Sequence, residues 1–186
     1  MGAVHGVALA ALVAIASMPN AGCVVVSLFP LYEGAGLEEP TLVGSWRNED
    51  EGVSLDVVAA EWRSYAVTWR EPSGTYKGRA YLTRVAGDLF ADVTAPPGED
   101  RGPFLVPVHG WCRVQIAGDN LSLGALDHDW IANPARLASA PGARLDARGN
   151  VLLTAPTPSL RAWLARQARR PGAFAAPVAL IRVSPQ

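Results

Sequence analysis

The chain has 186 residues, with 16 Lys and Arg against 17 Asp and Glu, a formal net charge of −1. That length bounds one domain, with or without an address segment, and so balanced a charge offers no field to draw nucleic acid. The 18 glycines and 15 prolines favour many turns over long helices.

Residues 7–16 are an uncharged apolar run. It is too short to span a bilayer and has the length of the apolar part of an export signal. Ala21 and Gly22 then stand directly before Cys23, where small side chains let a peptidase grip extended backbone. An uncleaved membrane anchor is the alternative, because Val24, Val25, Val26, Leu28, Phe29 and Leu31 extend the apolar character. Pro19, Asn20 and Ser27 interrupt such a span. An exported chain also permits a disulfide between Cys23 and Cys112. Residues 24–41, with Gly34, Gly36 and Pro40, show neither helix nor strand period and read as a tether.

From Leu42 onward, short alternating apolar runs recur between turn clusters. They cover 42–47, 53–59, 65–69, 76–84, 89–94, 104–116 and 121–126. Gly87-Asp88 and Gly118-Asp119-Asn120 mark tight turns between them, and Pro96 to Asp100 marks a loop. The period then changes. Asp127 caps a predicted helix reaching Ala140, with Trp130, Ile131 and Leu137 on its apolar side. Val151–Thr154 reads as a strand. Thr157 is the expected N-cap of a second helix and Pro158 its first residue. Leu160, Trp163, Leu164 and Ala168 give that helix an apolar face, and Arg161, Arg166, Arg169 and Arg170 a solvated one. Val178–Val183 closes the chain as a last strand.

The expectation is a mainly β domain of about eight to nine antiparallel strands with two short late helices. A closed up-and-down barrel accounts best for successive hairpins, since closure removes exposed edges; a β-sandwich is the alternative. The predicted organisation is an address segment at 1–22, a tether at 23–41 and one domain at 42–186.

Three resemblances add to this reading. Ala21-Gly22-Cys23 resembles the end of a bacterial lipoprotein signal, although Asn20 stands where Leu, Val or Ile is usual and residues 1–6 carry no Lys or Arg. The resemblance implies a lipid on Cys23, removal of residues 1–22, and a membrane-held protein of the cell envelope. Val24, rather than the aspartate that commonly marks inner-membrane retention, points to the outer membrane. Gly44-Ser45-Trp46 resembles the Gly-x-Trp motif of lipocalin-like (calycin-type) barrels. That likeness implies that Trp46 closes the barrel floor and that Arg182 packs on it as a cation on a ring. More widely, Ser27 through Tyr32, Leu42 through Trp46, Leu105 through His109 and the Asp127–Trp130 region look like a group of uncharacterised bacterial lipoproteins, which implies location and fold and no activity.

Side chains able to carry chemistry are few. Asp127-His128-Asp129-Trp130 invites a metal, yet neighbouring positions point apart, and no HExxH or CxxC spacing supports it. Capping by Asp127 with an exposed His128 is the plainer account. His109, within an apolar run, reads as a hydrogen-bonded core or hairpin histidine, because a general base needs positioned partners. No Gly-x-Ser-x-Gly elbow or phosphate-binding glycine loop is present. No cofactor and no enzymatic activity are expected. The expected function is a lipid-anchored module holding a small apolar ligand in its barrel; the alternative is a structural or protein-interaction lipoprotein without one. Whether the barrel interior is filled separates the two.

Overall fold

The structure, a computed structural model, describes residues 24–96 and 106–183. In chain order the strands and helices are β1 (Val25–Ser27), β2 (Gly44–Asn48), β3 (Val53–Ala60), β4 (Ser64–Glu71), β5 (Gly74–Val85), β6 (Asp88–Thr94), β7 (Gly110–Ala117), β8 (Asn120–Ala125), α1 (His128–Ala132), α2 (Pro134–Ser139), β9 (Arg144–Leu145), β10 (Val151–Leu153), α3 (Thr157–Gln167) and β11 (Val178–Arg182). Eight of the strands, β2 to β8 and β11, pair antiparallel with their neighbours. β11 bonds to both β8 and β2 and closes the barrel. The protein is therefore mainly β and an up-and-down barrel, and closure excludes the sandwich.

The barrel follows from period-two patterning. On β3, Val53, Leu55 and Val57 point inward while Ser54 and Asp56 face out. β6 departs from this pattern, because Phe90 and Asp92 on its outer face are as buried as Ala91 and Val93 on its inner face. A second layer covers that outer face. It contains α3 and a small sheet in which β10 pairs parallel with β1 and antiparallel with β9. Phe90, Trp111, Leu160, Trp163 and Leu164 form its core with Val25, Leu31, Val151 and Leu153. At about 1.5–3 kcal/mol for each fully buried large apolar side chain, this outer layer contributes to stability on the scale of the barrel core itself.

Residues 24–41 therefore depart from the expected tether. The segment has no helix or strand period because only three residues of it form a strand. The rest is held at separate points: Leu31 is fully buried, and Leu37 N–H donates to the Leu82 carbonyl at 2.9 Å. A short 3-10 turn, Pro40–Leu42, then leads into β2, which begins at Gly44 rather than Leu42.

The late helices also differ in detail. The run from Asp127 is broken into α1 and α2, because Asn133 leaves helical geometry ahead of Pro134 and caps the second piece through its side chain. The residue capping α3 is Pro156, one position earlier than expected. The Thr157 hydroxyl is instead drawn to the Pro30 carbonyl at 2.6 Å, a bond to the N-terminal segment.

Candidate functional site

Trp46 lies on β2, near the end of the barrel where that strand begins. Its side chain is wholly buried, and its indole N–H donates to the Leu42 carbonyl at 2.9 Å. The Arg182 guanidinium lies 4.1 Å above the ring centre, donates to the carbonyls of Val43 (2.8 Å) and Thr41, and stands 3.4 Å from Asp119. Gly44 makes room for it. At φ 140°, a Cβ there would lie 2.6 Å from Arg182 Nη1. Trp46 and Arg182, named by the motif, thus meet in space, and the glycine of the motif has its own steric reason.

The barrel interior is packed with apolar side chains. A pocket of about 50 Å³ among them is lined by Leu42, Trp69, Tyr76, Ala91, Cys112 and Leu123 among others. Cys112 is a free, buried thiol on the inner face of β7, and burial pushes its pKa up to about 12.

His109 has a partner that the sequence did not reveal. Its Nδ1 lies 2.6 Å from Asp92, a carboxylate with no solvent exposure on the outer face of β6. The other oxygen of Asp92 accepts the Leu31 N–H, and His109 exchanges backbone hydrogen bonds with Ser27 at 2.8 and 2.9 Å. Nearby, Tyr32 stacks on Tyr81 with ring centres 4.3 Å apart. Burial, with Tyr81 and Asp92 alongside, pushes Tyr32 up to about 12, so it stays a neutral phenol. The cluster clasps the N-terminal segment to the barrel wall. Nothing in the sequence linked Asp92 to His109 beyond a carboxylate at an unusually polar position of an apolar strand.

Arg161 belongs to the same clasp. The sequence placed it on a solvated face, but it donates to the carbonyls of Leu31 and Arg84 and to the Thr83 hydroxyl, all within 2.8–2.9 Å. His128 is not exposed as expected. Its side chain is 14% accessible and Nε2 lies 2.9 Å from the Gly149 carbonyl, while Asp127 caps α1 by accepting the Trp130 N–H. Among the described residues no cluster of three or more His, Cys, Asp and Glu could hold a metal ion. Cys23 lies outside the described residues.

On the barrel's outer side, a cleft of about 380 Å³ runs between β7, β8 and the chain after α3, lined by Arg113, Gln115, Ser122, Arg169, Arg170 and Phe174 among others. Arg113 spans it: its guanidinium sits 3.9 Å over the Phe174 ring and donates to the Ala168 carbonyl, fastening the end of α3 to the barrel.

One tryptophan is neither core nor clasp. Trp62, between β3 and β4, is 83% exposed and held at φ 60°, and Arg63 follows at φ 53°. Two consecutive side-chain-bearing residues in left-handed geometry are strained, and such strain gathers at functional positions. In the sequence Trp62 resembled any other aromatic at the end of a strand. The chain matches no family model, no curated protein and no solved structure.

Proposed function

We propose that the protein is a lipoprotein of the bacterial cell envelope, anchored through Cys23, whose barrel is a packed scaffold for protein interaction rather than a carrier. The observation that carries this choice is the volume of the interior pocket. About 50 Å³ admits a few water molecules, whereas sites for small molecules occupy roughly 300–1,000 Å³. This favours the structural or interaction reading over the small apolar ligand. The exposed, strained Trp62 gives the scaffold something to present, since tryptophan is enriched among the residues that dominate protein interfaces. The anchor rests on Ala21-Gly22-Cys23. The inward-facing Cys112 supports it, because that thiol sits on the far side of the barrel wall from the segment that follows Cys23.

The test is native mass spectrometry of the protein extracted gently from membranes. The expected mass is that of a chain beginning at an acylated Cys23, with no further bound lipid. A stoichiometric apolar molecule released from the interior would overturn the scaffold reading, and an intact 1–22 segment would overturn the anchor.

A further inference from the structure

Val24 is fixed at both of its backbone polar groups. Its N–H donates to the Asn150 side chain at 3.0 Å, and its carbonyl accepts the Val151 N–H at 2.9 Å. β1 starts at the next residue, in register with Val151 at the start of β10. Val24 therefore sits on the folded body itself, beside the turn that joins β9 to β10, and the residue bonded to it is one Cα step of about 3.8 Å away.

From this we infer that the turn at 144–150 is the membrane-contacting surface of the domain, resting on phospholipid that carries anionic headgroups. The inference rests on the proposed acylation of Cys23. A lipid on that residue draws whatever surrounds Val24 onto the bilayer, because Val24, next in the chain, is itself hydrogen-bonded into the folded body. The chemistry of the turn suits that position. Residues 144–148 are all exposed, and Leu145, 50% accessible, follows Arg144 directly and shares the segment with Arg148 three positions on. An apolar side chain next to an arginine is the composition of an interfacial element, in which the arginine stem lies along the acyl boundary and the guanidinium group meets phosphates. Two carboxylates lie close by. Asp146 accepts from the backbone of Arg148 and Asn150 and from the Asn150 side-chain amide, and the Arg148 charge acts on it as well, so Arg144 is the cation that the turn's own carboxylate leaves to the headgroups. Asp129 is fully exposed next to His128, whose Nε2 contacts Gly149, and marks the edge of the face.

The same placement orients the rest of the molecule. The β1 sheet packs against β7, and β3 stands four strands away around the barrel of eight. Trp62, which follows β3, is thereby carried to the side away from the bilayer.

The experiment uses the full-length, membrane-extracted protein returned to vesicles of phosphatidylethanolamine and phosphatidylglycerol. A polarity-sensitive fluorophore is attached through Ala147→Cys or, as a control across the barrel, through Asp50→Cys; the buried native Cys112 does not compete. The expected result is a blue-shifted emission and several-fold weaker quenching by an aqueous quencher for the label at position 147 only. That protection is lost in Leu145→Asp although the protein remains acylated and vesicle-bound. Equal quenching at both positions in an acylated, bound protein would overturn the assigned face and leave the anchor standing. Absence of acylation with no vesicle binding would overturn both.

Discussion

Arg182 and Trp46 form a lid in which one cation serves three purposes: it covers the indole face at 4.1 Å and holds the carbonyls of Thr41 and Val43. The carbonyls belong to the chain entering the barrel and Arg182 to the strand that completes it, so the contact fastens entry to exit.

Removing that contact has a definite cost. Arg182→Ala is expected to lose about 2–4 kcal/mol, the sum of two charge-assisted hydrogen bonds and a shielded cation–ring contact. Arg182→Lys recovers only part of this, since an ammonium cannot span both carbonyls as the planar fork does. Gly44→Ala should destabilise comparably, because its Cβ would meet Arg182 Nη1. Urea unfolding of the three variants checks the order; an Arg182→Ala variant as stable as the parent would remove the lid from the account.

A second prediction concerns the clasp. Asp92→Ala leaves the Leu31 N–H and His109 without their buried partner, at a cost of about 2–4 kcal/mol. The loss should be local at first: hydrogen exchange at Leu31 and at the Ser27–His109 pair speeds up before exchange in β3 or β4. Uniform acceleration across the barrel would mean that the segment and the barrel are one cooperative unit.

The barrel was legible in the sequence because inward and outward positions alternate, and the contact of Arg182 with Trp46 because Gly44-Ser45-Trp46 resembles a motif that implies it. The outer layer was not. Val25, Leu31 and Arg161 are fixed by partners more than 50 positions away, as Leu31 is by Asp92, and such contacts leave no periodic trace. The same blindness turned a docked segment into a tether. The strain at Trp62 was equally hidden, since a left-handed backbone at a non-glycine has no compositional signal.

Trp62 itself offers a reversal of the usual rule. Trp62→Gly should raise stability by about 0.5–1 kcal/mol, because relief of left-handed strain outweighs the added chain entropy and an 83% exposed ring loses little packing. Thermal or urea unfolding measures this. A loss of several kcal/mol, the result for truncating a packed aromatic, would show that the ring packs in a way its exposure denies.

Alkali should weaken the fold from two sites, the buried Cys112 and the half-buried Tyr32. Burial pushes Cys112 and Tyr32 both up to about 12, from ordinary values of 9 and 10. Between the ordinary and the raised value the folded chain holds protons that the unfolded chain has released, so stability falls as pH rises. The decline is expected to begin near pH 9 and steepen past 10. Cys112→Ala should delay its onset, and in the parent protein at neutral pH a thiol reagent should react with Cys112 only on unfolding.

At the acid end the sensitive element is the turn beside Val24. The Asn150 side-chain amide, with backbone donors from Asn150 and Arg148, holds the Asp146 carboxyl below the usual carboxylate range. A lowered value means that the charged form is favoured by the folded turn, so turn order is complete above the ordinary carboxylate pKa and fades as pH falls through the lowered one. Amide shifts of Arg148 and Asn150 should therefore titrate together with the Asp146 carboxyl, below the ordinary carboxylate range. Asp146→Asn, which cannot accept both backbone N–H groups with the same charge, should show the loosened turn at neutral pH. Since Asn150 also holds Val24, that variant should speed exchange at the Val24 amide. An unchanged Val24 amide would mean that the start of β1 is fixed by its pairing with β10 alone.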